Sequence, residues 1–348
     1  MQLDTMSKAP GASSNGAPPP LLQTKGISRV FRQPIDLLER LAVRAGLSNA
    51  KEQVVRAVSA VDLTISAGEV VGLVGESGCG KSTLGRMVAG VMPPSSGQLL
   101  YKGRPVAGLS ARDAAEFALK VQMVFQDPYS SLNPRMRVRD IIGEAPLFHG
   151  LTTRTGLTHY VSDVLTQVKL DPSYMDRFPH QFSGGQRQRI GLARAMAVNP
   201  ELIVCDEAIA ALDVSIQAQV LNLFLELRER FRFGYLFISH DIGVVEHISD
   251  RVIVMYLGRV VEEARTEDLF ARPNHPYTQA LLKSVPKIEK RRSSFEAMKG
   301  ELPSPLNMPT GCPFHTRCPH SMQICKSQIP ELTDIAPGHK SACHLNSG

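Results

Sequence analysis

The sequence predicts an α/β fold built on a mixed, mainly parallel sheet, and three observations carry that reading. Short apolar runs recur along the chain: VVGLVG near 70, VQMVFQ near 121, LIVCDE near 202, YLFISH near 235 and RVIVMY near 251. Several are apolar without alternation, the pattern of strands buried on both faces. Helical patterns lie between them, and the one from Ser183 to Val198 places Gln186, Ile190, Ala193 and Ala197 on one face. Strand signals alternating with helix signals indicate an α/β core. The run VVGLV also leads straight into a glycine-rich loop and a helix start, a junction such cores use to hold ligands.

The elements follow in order. Residues 1–22 are rich in Pro, Gly, Ala and Ser and are expected to be disordered; they have no apolar stretch, so they do not read as a secretory signal. Between 32 and 55 the chain carries a long spacer, with Ile35, Leu38, Leu41 and Ala45 at the spacing of a short amphipathic helix. Residues 127–182 are richer in helix signals and polar breaks, and suggest a helical subdomain inserted between two core strands. GRVVEE at 258–263 turns back after a strand, as a hairpin does. From Pro286 a linker is expected, and a cysteine-rich tail follows. The expected division is a main domain over 23–270 and an irregular extension over 271–348.

Composition narrows the function classes. The 348 residues are 43% hydrophobic, enough for a substantial core, and no apolar run reaches the roughly 18 residues that span a bilayer. A soluble, intracellular protein is expected. Lys and Arg number 39 against 33 Asp and Glu, a net charge of +6. The charge is scattered and the longest basic run is Lys290-Arg291-Arg292, so nucleic-acid binding is the weaker reading.

The chemistry concentrates in a few motifs. Residues 75–83 read GESGCGKST between a strand and a helix, which fits G-x-x-x-x-G-K-S/T. Gly75, Gly78 and Gly80 let backbone N–H groups of the loop, from Glu76 and Ser77 through Cys79 to Thr83, turn inward around phosphates, and the helix start adds a favourable dipole. Lys81 reaches β- and γ-phosphates, and Ser82 can bind Mg²⁺. LIVC ends in Asp206, placed to hold Mg²⁺ through water, and Glu207, placed as a general base; strand-end carboxylates are also common as plain solvated groups. His240 ends the next strand and Gln126 ends VQMVF, both positions for contacts to the γ-phosphate or its metal. In FSGGQRQR, Ser183 and Gln186 have the spacing of a capping box. That does not account for Gly184 and Gly185 together. A second anion site at this helix start suggests a nucleotide held mainly by a partner subunit.

Together these residues resemble the ATP-binding cassette ATPases of the P-loop NTPase fold, in which an antiparallel β subdomain and a helical subdomain flank the main sheet. GESGCGKST looks like Walker A, Gln126 the Q-loop, FSGGQ the signature, LIVCDE Walker B, AALD at 210–213 the D-loop ending in Asp213, and His240 the switch histidine. The resemblance covers roughly 25–265 and implies ATP and Mg²⁺ as ligands, with Phe31 where the family stacks an aromatic on adenine. QDPYSSLNPRM at 126–136, HPYTQALL at 275–282 and GELPSPLNMPTGCPFHTRC at 300–318 are similar to the oligopeptide/dipeptide/nickel importer branch. That branch implies a second ATPase subunit, usually a different paralogue, two integral membrane subunits, a periplasmic or surface binding protein, and a peripheral place on the cytoplasmic face of the bacterial inner membrane. Peptides are the expected substrate class, although relatives also carry nickel, glutathione, opines and sugars. The alternative is an ATPase subunit of a soluble complex such as carbon–phosphorus lyase, and the tail is what separates the two. The chain departs from the family at Ala208 and Ala210, which replace a proline and a serine, and in the spacer at 32–55.

The tail holds Cys312, Cys318, Cys325 and Cys343 in C-x5-C-x6-C-x17-C spacing, without the tight pairs of most structural zinc sites. Iron–sulfur clusters accept more varied spacing. Some members of the resembled branch carry a four-iron four-sulfur (4Fe-4S) cluster in a similar tail. Zinc stays open as the alternative, with His315, His320, His339 and His344 as further ligands. Either would tie together a Pro-rich segment that has few large apolar residues of its own. Cys79 and Cys205 read as small buried residues.

Overall fold

The computed structural model describes residues 19–33, 52–127, 129–210, 212–283 and 300–346. The expected helix at 35–45 and the linker after Pro286 fall largely outside them. Leu21 and Leu22, on the outer side of the expected boundary at 23, are buried in the main domain.

The strands are β1 (Leu22–Gln33), β2 (Gln53–Ile65), β3 (Val70–Val74), β4 (Ser96–Tyr101), β5 (Arg104–Pro105), β6 (Val121–Val124), β7 (Leu202–Asp206), β8 (Gly234–Ile238), β9 (Arg251–Tyr256), β10 (Arg259–Arg265), β11 (Thr333–Ala336) and β12 (His339–Ser341). The helices are α1 (Lys81–Val88), α2 (Ala111–Lys120), α3 (Val138–Phe148), α4 (Leu157–Gln167), α5 (Gly184–Met196), α6 (Val214–Phe231), α7 (Ile242–Ile248), α8 (Thr266–Ala271) and α9 (Pro276–Lys283).

The main sheet runs β11-β12-β10-β9-β3-β8-β7-β6, and its members from β9 to β6 are parallel. Every residue of β3, β7 and β8 is buried, which is why these runs show no polar alternation. The expected hairpin is β9–β10, antiparallel from Tyr256↔Arg259. A second, antiparallel sheet in the order β2-β1-β4-β5 packs with α1 over one face of the main sheet. Helices α3, α4 and α5 lie between β6 and β7 in sequence and share the core on the other face. Because β3, β7 and β8 are parallel neighbours, their carboxyl ends, and with them the phosphate loop, Asp206–Glu207 and His240, meet at one rim.

The tail differs from the irregular appendage expected. β12 pairs with β10 at Glu262↔Ser341 and Glu263↔Lys340, and β11 pairs with β12, so the tail extends the main sheet. Glu262, fully buried, accepts hydrogen bonds from the backbone N–H groups of Asn274 (2.7 Å) and His275 (2.9 Å), and its carboxylate lies 2.7 Å from His339 Nε2. One carboxylate thus joins β10, the HPYT segment and β12. Phe314 is buried against Tyr256, Tyr277 and His275, with ring centroids 5.3, 5.4 and 5.9 Å away. The tail borrows the core of the main domain instead of building one, so its packing does not depend on a metal alone.

Candidate nucleotide site

The phosphate loop is shaped by where its backbone must go. Gly80, the N-cap of α1, sits at φ 104°, and a Cβ there would stand 2.1 Å from the Ala57 carbonyl oxygen, so only glycine fits. No side chain caps α1, which leaves its first amide N–H groups facing outward. Lys81 is buried and donates from Nζ to the carbonyls of Gly75 (2.8 Å) and Glu76 (3.1 Å), arching over the loop. Cys79 packs inward and is buried, as is Cys205 on β7.

The Walker B carboxylates lie alongside. Ser82 donates its hydroxyl to Asp206 Oδ1 at 2.7 Å, which joins the two expected Mg²⁺ ligands. Burial raises the carboxyl pKa of Asp206, and the Ser82 bond and the charges of Arg86 and Lys81 work against that rise. A hydroxyl and a carboxylate are hard oxygen donors of the kind Mg²⁺ takes while keeping waters, so the residues fit the ion. Glu207 has φ 48°, in the left-handed region, and its N–H donates to Ile238 O at 3.0 Å. A non-glycine residue is uncommon there, and the turn it makes follows directly on the carboxyl end of β7. Its Oε2 accepts from Gln126 Nε2 at 2.8 Å and lies 3.5 Å from His240 Nδ1. The latter distance is too long for a good hydrogen bond.

These groups open on a cleft of ≈ 230 Å³ lined by Ser77, Gly78, Lys81, Ser82, Gln126 and Glu207 among others. Its apolar wall comes from Val55, Leu257, Pro305 and Met308. Phe31, expected on the adenine, is not part of that wall. It pairs with Val55 across the β1–β2 ladder, and its ring is taken up by the Arg29 guanidinium 5.0 Å from the centroid.

The signature lies away from this cleft. The expected capping box is present: Ser183 Oγ accepts from Gln186 N–H at 3.3 Å, and Gln186 Oε1 accepts from Ser183 N–H at 3.0 Å. The structure adds a packing reason for one of the two glycines, since a Cβ on Gly185 would stand 2.5 Å from Ile216 of α6. Gly184 has no such constraint, its nearest neighbour being Leu212 at 3.4 Å. Asp213, the N-cap of α6, is exposed and makes no cap bond. Ala208 is buried beside Glu207, and Ala210 donates its N–H to Glu207 O at 3.1 Å, so the turn closes without the family's proline or serine.

Comparison with known proteins agrees with this geometry. Residues 58–210 match the ABC transporter family, and residues 261–325 match the C-terminal region of oligopeptide/dipeptide transporters. The oligopeptide transport ATP-binding protein AppF of Bacillus subtilis is 52% identical over 316 residues, 90% of this chain and 96% of AppF. This chain belongs to the oligopeptide/dipeptide branch of the ABC transporter ATPases. The ATPase also shares its fold with solved cassettes. The dimeric post-hydrolysis structure of MJ0796 bound to ADP and Pi aligns with TM-score 0.60 at 24% identity, over 70% of this chain and 98% of that one. The cbiO1 protein of Clostridium perfringens aligns with TM-score 0.58 at 23% identity, over 73% and 92%.

Beyond Val55 and Leu257, four residues of the C-terminal extension at the ATPase site are not among the sequence candidates. Pro305 and Met308 reach the cleft from the tail. Tyr277 accepts the Glu76 N–H on its hydroxyl at 2.8 Å. Arg317 grips the Glu76 carboxylate with both terminal nitrogens, at 2.7 and 3.0 Å. The HPYT motif flagged Tyr277, but nothing local says what it touches.

The tail cysteines are free thiols, drawn together from 312, 318, 325 and 343 closely enough that each of the other three raises the Cys312 pKa. Burial is the larger cause and takes Cys312 to about 11. Among the described residues no group of three or more His, Cys, Asp or Glu stands ready to hold a metal ion. As placed, the thiols therefore do not form the expected metal site. His339 Nε2 lies 2.7 Å from the Glu262 carboxylate, and His315 Nδ1 and His344 Nε2 lie 2.8 and 3.0 Å from the backbone carbonyls of Cys312 and Gln328, so each of the three is engaged through one ring nitrogen.

Proposed function

We propose that this ATPase powers import of oligopeptides or dipeptides across the bacterial inner membrane, as the ATP-hydrolysing subunit of a binding-protein-dependent transporter. The observation that carries the reading is the tail. Its match to oligopeptide/dipeptide transporters falls on a segment that forms part of the nucleotide cleft. The same segment favours the importer over a soluble complex of the carbon–phosphorus lyase type. Among the described residues no helix is long and apolar enough to cross a membrane, so the proposed place is peripheral, on permease subunits at the cytoplasmic face. The proposed partners are a second ATPase of a different sequence, two integral membrane subunits and a solute-binding protein.

In the proposed cycle two cassettes close face to face. The loop amides and Lys81 bind the β- and γ-phosphates of one ATP, while Ser183, Gly184, Gly185 and Gln186, with Asp213 near the same surface, serve the nucleotide of the partner. Ser82 and Asp206 would hold Mg²⁺, which when bound neutralises charge on the β- and γ-phosphates. Glu207 takes the proton of the attacking water. Gln126, now bonded to Glu207, is close enough to exchange that partner for the γ-phosphate region, and His240 faces the same point. The helical segment at 127–182 passes reopening to the membrane subunits. Cells lacking this chain should lose uptake of a labelled dipeptide or oligopeptide, and the wild-type gene should restore it while Glu207→Gln should not. Uptake that persists undiminished without the chain would overturn the reading.

The proposed occupant of the tail is a four-iron four-sulfur cluster on Cys312, Cys318, Cys325 and Cys343. The reading rests on four free thiols in one segment; as they stand they do not form a ready metal site, so loading a cluster would have to draw them closer together. After anaerobic purification the expected content is about four iron and four sulfide per chain; one zinc without sulfide would replace the cluster by a single-ion staple.

A further inference from the structure

Glu76 is the second residue of the phosphate loop and is held at three points. Its N–H donates to the Tyr277 hydroxyl at 2.8 Å. Its carboxylate receives both terminal nitrogens of Arg317. Its carbonyl, with that of Gly75, accepts from Lys81 Nζ. Two of those holds come from the C-terminal extension, at sequence separations of 201 and 241 residues, and the third is the lysine that meets phosphate. The Arg317 side chain is only 5% exposed, and its hydrogen bonds to Glu76 raise the pKa of the guanidinium above its ordinary value. It also reaches the Tyr256 hydroxyl at 3.4 Å, at the end of the strand that lies beside β3. A planar fork on a carboxylate fixes direction as well as distance, which a single ammonium does not.

We propose that Arg317 is a positioning residue for ATP: through Glu76 it sets the carbonyls on which Lys81 rests, so that a seated tail is part of a competent phosphate loop. The inference rests on the ATP reading of the loop. Arg317 lies in the sequence between Cys312 and Cys318, so whatever state those thiols adopt bears on the loop by the same path. Binding of ATP and seating of the tail are then reciprocally linked.

The test is ATP affinity of the full chain, measured by titration with a fluorescent ATP analogue, beside thermal melting of the same samples. Arg317→Glu sets two carboxylates against each other and should weaken binding about tenfold, within the usual span of coupled sites. Adding Glu76→Arg to that variant restores a pair of opposite sign and should recover most of the affinity. Arg317→Lys keeps the charge without the fork and should fall between wild type and Arg317→Glu. Should Arg317→Glu fail to fold, Arg317→Lys carries the test, with a loss of affinity at an unchanged melting temperature expected. Wild-type affinity in Arg317→Lys and Arg317→Glu would overturn the inference, as would a lower melting temperature with affinity untouched. A wild-type chain that binds no ATP would instead overturn the nucleotide reading beneath it.

Discussion

The phosphate loop and the cysteine tail meet at Glu76, yet they are built in opposite ways. The loop is nine consecutive residues whose shape follows from its own glycines and from the strand and helix on either side. The tail has short strands and a few large side chains, and nearly everything that seats it comes from elsewhere: Glu262 on β10, Tyr256 on β9, Tyr277 on α9 and Glu76 in the loop. A local device can be recognised in any window that contains it. A borrowed one is visible only when the distant partners are in place.

The comparison breaks first on the chemistry. If the loop rim carries catalysis, Glu207→Gln lowers ATP turnover about 10²–10⁴-fold and leaves ATP binding intact. Turnover close to wild type, in a complex whose other site is disabled, would move the base elsewhere.

The next effect tests the borrowed core. Phe314→Ala removes a buried ring that touches three others, and truncations of this kind cost about 3–5 kcal/mol. The readout is the denaturant midpoint together with proteolysis of the tail. A loss below about 1 kcal/mol would mean that other contacts seat the tail.

A third effect depends on pH. Burial lowers the His275 pKa to about 4, from an ordinary value of 6.5. Its Nδ1 accepts the Tyr277 N–H at 3.1 Å, so the neutral ring is the one that fits. The unfolded chain takes up the proton first as pH falls. The stabilisation is therefore complete above pH 6.5 and is lost between 6.5 and about 4, by up to about 3 kcal/mol. Chemical-denaturation midpoints across that window should fall in the wild type and flatten in His275→Gln. Equal slopes would assign the loss to groups other than His275.

The smallest effect belongs to the signature. Ser183→Ala removes one cap bond and should cost about 1 kcal/mol of stability. Its effect on turnover should be larger in the paired complex than in the single chain, where the partner's nucleotide is absent. Equal effects in both would make Ser183 a cap and nothing more.

Legibility followed the same division. The parallel strands are readable because burial on both faces leaves VVGLV and LIVC apolar throughout. The capping box, the hairpin at Tyr256–Arg259 and the meeting of Ser82 with Asp206 were readable because short motifs fix them. The Arg29 guanidinium over the Phe31 ring is not legible from position alone, because it depends on how β1 meets its neighbours. Gly185 was credited wholly to anion binding, although Ile216, distant in sequence, also forbids a side chain there. The tail was read as needing a metal because its own apolar residues are few. No local pattern reveals that Phe314 enters a core formed by β9 and α9, or that Arg317 closes on a residue 241 positions earlier.

The central claim is that tail and phosphate loop form one unit, and hydrogen exchange of the loop amides tests it most directly. The Glu76 N–H is bonded to the Tyr277 hydroxyl and reports on that junction. In Phe314→Ala, below its melting temperature, the account predicts that peptides covering 75–83 lose protection together with those covering 312–343. Loss of protection in the tail alone, with the loop exchanging as in the wild type, would contradict it.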